Sequence, residues 1–326
     1  MITRVNFNNE RFANYLDYVP YNVTLNELYK AETLYAGYDP EHPESFDTCY
    51  DQQVYKYFLE TGKIPPTPLE SFSRAMHDHF IREGIRDIVN CYEKTKVVAV
   101  MGGSAMRRDD DSYRSIAIIS KRLTEGGSLM VSGGGSGAME ATMLGSYMAG
   151  RTLEELDDAI SILKKSPKYG DEGYMEVSYI VMKKYPHIVD YESLSIPTWL
   201  YGHEPTSPFA TYIGKFFENS IREDILLSIS FGGIIYTPGS AGTMQEVFQD
   251  AVQNHYLTLG MASPMVFFNK DFWTTQMPIY PMLQTLSEKG KYSNLLLSLT
   301  DSTAEVINII EDFQRQQHQQ CGCAPA

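Results

Sequence analysis

The sequence predicts an α/β protein with a doubly wound, mainly parallel sheet and a helical N-terminal extension. Two observations predict it. From residue 96 onward, short apolar runs closed by glycine, proline or serine alternate with segments of helical period. The first 94 residues lack such runs and are rich in tyrosine and glutamate. Strands separated by helices need crossovers, which are right-handed and lay the strands parallel with helices on both faces.

In the extension, residues 51–60 read as a short helix ended by Gly62, Pro65 and Pro66. Residues 68–94 form a longer one. Leu69, Phe72, Met76, Phe80, Ile81, Ile85, Ile88 and Val89 give it an apolar face. Six strands are expected, within 96–103, 128–135, 193–202, 232–239, 263–269 and 295–302. Helices are expected at 112–124, 137–148, 153–184 (irregular), 211–227, 242–256, 273–289 and 303–316. The division is therefore an extension over 1–94, a nucleotide-binding type of domain over 95–316, and a flexible tail over 317–326.

Composition narrows the functional classes. Of 326 residues, 43% are hydrophobic and 21% charged, which suits a globular core and not a disordered chain. Lysine plus arginine total 27 against 41 acidic residues, a net charge of −14. That balance argues against nucleic acid as a partner, which needs a positive footprint. Four cysteines are no disulfide framework, and the N-terminal residues have no apolar signal core. No apolar run approaches the roughly 18 residues of a membrane helix. The expectation is a cytoplasmic protein with no membrane partner. His77 and His79 are two apart on a helix and face different ways, so they make a poor metal pair. Cys321 and Cys323 have no second pair nearby. Neither a metal nor another cofactor is expected.

Ligands of such sheets bind at the carboxyl ends of the strands, where helix N-termini also point. Three strand ends carry small residues: Met101–Arg108, Ser132–Met139 and Thr237–Thr243. Glycine lets backbone amides approach an anion, and the helix dipole adds positive charge. Ser104, Ser240 and Thr243 add hydroxyl donors. Tight turns also need glycine for steric reasons alone. Gly133, Gly135 and Ala138 fit the dinucleotide pattern GxGxxA, with Glu154, Asp157 and Asp158 about twenty residues on. That pattern follows the second strand of the unit and not the first, so nicotinamide dinucleotide binding is a minor alternative.

The segments SGGGSGAME and PGSAGTMQE, residues 132–140 and 238–246, resemble the signatures GGGxxGxM and PGGxGTxxE. Those signatures belong to the LOG (Lonely Guy) family and the wider group of nucleotide 5′-monophosphate nucleosidases, formerly labelled lysine decarboxylase-like. The resemblance spans residues 96–316 and implies a Rossmann-like fold. It further implies hydrolysis of the N-glycosidic bond of an AMP-like nucleoside monophosphate, giving free base and ribose 5-phosphate, by a homodimer or higher homo-oligomer. The family's functional glutamate falls on Glu246. Its arginine, about fifteen residues before the motif's proline, falls on Arg222. The phosphate cradle falls on Gly103, Ser104, Gly239, Gly242 and Thr243, and the second motif on Gly134, Gly135 and Met139. Ser240 stands where the family has glycine; it can donate to phosphate or crowd it.

The residues suit that chemistry. Glycosidic cleavage passes through an oxocarbenium-like state, which a carboxylate stabilises while aligning water. With Glu246 in the first turn of its helix, the dipole favours its charged form. Arg222 can hold Glu246 or reach the phosphate. Plainer alternatives are a capping box of Thr243 with Glu246, and an ion pair of Arg222 with Glu218. His203 and Glu204 end the third strand and can meet base or ribose, as can Tyr201 by stacking. Arg107 and Arg108 can serve phosphate or be neutralised by Asp109–Asp111. Phe216 and Phe217 read as core, and Gln245, Gln249 and Gln253 as a polar row. A non-catalytic nucleotide sensor on the same fold is the alternative that Ser240 supports.

Overall fold

The computed structural model describes residues 15–16 and 18–320. Its strands are β1 (Val97–Met101), β2 (Leu129–Ser132), β3 (Ser193–Ser195), β4 (Tyr212–Ile213), β5 (Ile234–Tyr236), β6 (Pro264–Phe268) and β7 (Leu296–Thr300). They form one sheet in the order β4-β3-β2-β1-β5-β6-β7, and every pairing is parallel. In register, Ala99 sits between Val131 and Ile234. Every residue of β1, β2, β5 and β6 is buried, as strands covered on both faces must be.

The helices are α1 (Ala31–Leu34), α2 (Tyr50–Thr61), α3 (Pro68–Val89), α4 (Asp111–Glu125), α5 (Ala138–Tyr147), α6 (Leu153–Leu163), α7 (Tyr174–Lys184), α8 (Asn219–Ser228), α9 (Ala241–Tyr256), α10 (Ile279–Glu288) and α11 (Thr303–Gln320). Right-handed crossovers put α4 and α5 on one face and α9 and α10 on the other. This is the doubly wound, Rossmann-like fold that the sequence predicts.

Five stretches differ from the expected elements. Residues 211–227 are not one helix. Tyr212 and Ile213 form the edge strand β4, and the helix begins only at Asn219. Gly214 permits the close approach: a side chain there would press into Ile85. The third strand stops at Ser195, because Pro197 has no N–H to continue a ladder, and Trp199–Tyr201 make a 3₁₀ turn instead. The irregular helix over 153–184 is two helices, with Pro167, Gly170 and Gly173 in the break. The expected helix over 273–289 is split ahead of Pro278, a single wide turn over Phe272–Gln276 preceding α10. The last helix runs four residues past Gln316, into the segment expected to be a tail.

The extension packs on the sheet. Thr67 caps α3 by accepting from Glu70 N at 3.1 Å, and Pro68 starts the helix. The face it buries is more polar than its apolar period suggests. Ile81 and Ile85 are buried, but so are Arg74, His77 and Asp78, while Phe72 is 40% exposed. Tyr29 exchanges both backbone hydrogen bonds with Ile213, at 3.0 and 2.7 Å, covering the open edge of β4. Asp51, fully buried, accepts from Lys215 Nζ at 2.6 Å and Trp199 Nε1 at 3.0 Å.

Candidate functional site

The chain leaves β1 and β5 toward opposite edges of the sheet, so a crevice opens between their carboxyl ends. There Gly103 N donates to Pro238 O at 3.0 Å, and Thr237 N to Met101 O at 2.8 Å. A cavity of about 390 Å³ lies beside them, lined by Gly103, Ser104, Gly239, Ser240, Asp110 and Phe272 among others. That is within the usual range for a small-molecule site. Ser240 is the N-cap of α9, and the first internal hydrogen bond of the helix runs from Met244 N to Ser240 O at 3.1 Å. The amides of Ala241, Gly242 and Thr243 therefore precede the first intrahelical donor and have no acceptor within the helix.

The glycines divide by what packing demands of them. A side chain on Gly239 would collide with the Thr243 hydroxyl, which puts buried Thr243 under the turn. One on Gly137, at φ +67°, would collide with the Gly103 carbonyl, and one on Gly134, at φ +81°, with the Ser195 hydroxyl. Gly242 alone among the candidate glycines faces open space. Packing does not require it, and it leaves the first turn of α9 bare.

Beside the crevice lies a second cavity of about 50 Å³, lined by Gly133, Gly135, Met139, Tyr201, Glu204 and Arg222 among others. Gly135 N points at Met139 Sδ at 3.4 Å. Ser104 Oγ donates to Glu204 Oε1 at 3.0 Å, tying the wall of the larger cavity to that of the smaller. His203 stays outside both linings, with its side chain 56% exposed.

Behind these cavities sits a charged group. Arg222, 6% exposed, donates Nε to Ile196 O at 2.7 Å and a terminal nitrogen to Gly133 O at 2.9 Å. It thereby joins the ends of β3 and β2. Its other terminal nitrogen meets Glu223 Oε1 at 2.6 Å. A side chain at position 133 would strike this guanidinium, which explains that glycine. Glu246, 8% exposed, lines neither cavity, and its side chain has no hydrogen bond among the described residues. Burial pushes its carboxyl up to about 8; Glu223 adds to the rise and Arg222 opposes it. Four residues on, burial pushes Asp250 up to about 7, opposed by the hydrogen bond from Tyr236 Oη at 2.8 Å. Glu223 Oε2, Asn219 Oδ1, Ser195 Oγ and Ser207 Oγ are buried without partners.

Several expectations change. Glu246 is the sixth residue of α9 and not in its first turn, and the cap is Ser240, so no capping box joins Thr243 and Glu246. Desolvation, not the dipole, dominates its titration and holds the carboxyl well above the ordinary range. Arg222 pairs with Glu223 and not with Glu218. Arg107 pairs with Asp109 at 2.7 Å, whereas Arg108 turns inward to Glu140 at 2.8 Å. Neither Arg107 nor Arg108 lines the two cavities. Of the carboxylates expected for a dinucleotide ribose, Asp157 is taken by Arg114 and Asp158 by Lys184, both on α6. Phe216 and Phe217 are core, and Gln249 donates to Asp224 at 3.2 Å.

Glu223, Asp250 and Tyr236 escaped the sequence reading. A signal existed: Thr243, Glu246, Val247, Asp250, Ala251 and Asn254 form one buried helical stripe with two carboxyls in it. Among the described residues no three His, Cys, Asp or Glu side chains are grouped to hold a metal, and no helix is long and apolar enough to cross a membrane. Cys321 and Cys323 lie outside the described residues. The chain matches no protein-family model, and no curated protein matches it in sequence.

Proposed function

We propose that the protein is a LOG-like nucleoside 5′-monophosphate N-glycosidase, taking an AMP-like substrate to free base and ribose 5-phosphate. The observation that carries this reading is Glu246: a buried carboxyl whose side chain makes no hydrogen bond, pushed up to about 8, close to Arg222 and on the helix that starts at the glycine turn of the crevice. A group poised near neutral pH suits proton transfer in both directions. The 5′-phosphate binds the bare amides at the start of α9, with Gly103, Ser104 and Ser240 around it. Glu246 gives its proton to the departing base as the C1′–N bond breaks. The carboxylate left behind stabilises the oxocarbenium-like sugar, then takes a proton from the water that adds to C1′. Arg222 lends that carboxylate a nearby positive charge while holding β2 and β3 together.

A second reading, a nucleotide receptor that binds without turnover, is favoured by the small volume of the Arg222 cavity and by Arg222's engagement with two carbonyls. Incubation with AMP, GMP, CMP and UMP separates them. The enzyme reading expects free base from at least one, and none from Glu246→Gln. Tight binding with no base released by the wild type supports the receptor and overturns the enzyme. Gel filtration tests the expected homo-oligomer.

A further inference from the structure

One carboxylate of the N-terminal extension holds the start of the helix that carries Arg222. Asp78, on α3, is 2% exposed. Its Oδ1 accepts from Phe217 N at 2.9 Å and its Oδ2 from Glu218 N at 2.8 Å. Glu218 is the N-cap of α8 and supplies no side-chain cap of its own. A carboxylate 140 residues earlier in the chain therefore does the capping, and does so with charge facing the positive end of the helix. His77 steadies it from the same helix, through Nδ1 at 3.0 Å. The other ring nitrogen of His77 meets Tyr29 Oη at 3.1 Å, and Tyr29 Oη meets Tyr50 Oη at 3.0 Å. No other side chain hydrogen-bonds Asp78 among the described residues.

The capped residue matters because Arg222 lies one turn beyond it. Arg222 N donates to Glu218 O at 3.2 Å, so the first closed turn of α8 joins the residue Asp78 holds to the residue that flanks Glu246. Arg222 then spans to Ile196 and Gly133 at ordinary hydrogen-bond distances, with little slack. A displacement of about 1 Å at the start of α8 breaks that span.

We infer that Asp78 is a positioning residue: by fixing the start of α8 it sets where Arg222 and Glu223 stand against Glu246. This rests on the proposed role of Glu246 as the acting acid. It gives the extension a task in the site without any contact between the extension and substrate. The groups facing Glu246 are Arg222 and Glu223 from α8, Tyr236 from β5 and Asp250 from its own helix.

Asp78→Asn tests it. The amide accepts from one N–H and turns its own NH₂ toward the other. Thr67→Ala is the control, since it removes the cap of α3 without touching α8. Two quantities are followed in both: the protonation midpoint of Glu246, by difference infrared against Glu246→Gln, and kcat and KM on AMP. With the start of α8 displaced, Glu223 and Arg222 both move relative to Glu246, and the upward push of Glu223 is the larger of the two. Asp78→Asn is expected to move the midpoint downward and to lower kcat at least about tenfold, with KM changed less. Thr67→Ala is expected to lower the melting temperature alone. An Asp78→Asn protein that melts earlier but keeps the wild-type midpoint and kcat overturns the inference. If the wild type releases no base, the proposed function fails, and the midpoint still decides this point. If Asp78→Asn does not fold, Asp78→Glu, which keeps the charge on a longer arm, is read by the same criteria.

Discussion

Two of the buried arginine–carboxylate groups, Arg108 with Glu140 and Arg222 with Glu223 and Glu246, have opposite electrostatics. In one, Glu140 receives Arg108 on both oxygens at 2.8 Å, Tyr113 at 2.5 Å and Tyr174 at 2.6 Å. Arg108 spends its remaining donors on Ser166 O, Tyr174 O and Ser178 Oγ. Burial pushes the Glu140 carboxyl up, but the arginine's charge and these hydrogen bonds outweigh it, so it is held below its ordinary value. In the other, one arginine faces two carboxyls. Glu223 keeps an unpartnered oxygen, Glu246 has no hydrogen bond, and burial wins. Two buried carboxyls are thus shifted in opposite directions, and the number of donors decides which. A closed network is what a scaffold needs. An open one has room for something still to arrive.

Glu246→Gln gives the largest contrast on the open side. Base release from AMP is expected to fall by about 10² to 10⁴, the usual range for a proton-transfer group, while the melting temperature holds. On the closed side Arg108→Ala is expected to cost about 3–5 kcal/mol in urea unfolding, because it strands a buried carboxylate. A loss below about 1 kcal/mol would erase the distinction between the two groups.

The two groups also respond to pH with opposite sign. Glu246 and Asp250 are raised to about 8 and about 7, so between their unfolded values and these the folded state holds more protons. Their contribution is complete below the unfolded values and is lost progressively as pH rises from there to about 7–8. Glu140 is lowered, so its contribution is present above its unfolded value and is lost as pH falls through its folded one. Urea unfolding of the wild type from pH 5 to 9 is expected to show stability falling up to about pH 8 and levelling off above it. The double variant Glu246→Gln, Asp250→Asn flattens it. A wild type whose stability rises from pH 6 to 8 contradicts the assignment.

The smallest effect is at Gly242. With open space around it in the first turn of α9, Gly242→Ala is expected to stabilise the fold by about 0.5–1 kcal/mol, while weakening inorganic phosphate binding in calorimetry. Gly239→Ala, which must displace Thr243, is expected to destabilise instead.

The sheet was legible because strands buried on both faces read as continuous apolar runs: Val97–Met101 and Pro264–Phe268 need no context to be recognised. β4 was not legible. Two residues long, it exists because Leu194 and Tyr29 pair with it from either side, and nothing local encodes that. Of the candidate site, the glycine turns and the two polar positions Arg222 and Glu246 were visible in sequence, as were Ser104 and Glu204. The charge state of Glu246 was not, since it depends on Glu223 across the helix pair and on how much water is excluded. Asp78 was equally hidden, because it acts on a helix 140 residues away.

Whether Glu246 keeps its proton at neutral pH is best asked directly, by difference infrared spectroscopy of wild type against Glu246→Gln across pH 4 to 10. A carboxylic-acid band assigned to Glu246 that disappears with a midpoint near 8 is the expected result. A band already gone by pH 6 would mean a carboxylate ionised in the ordinary range despite its burial, and the proton-transfer role assigned to this residue would be wrong.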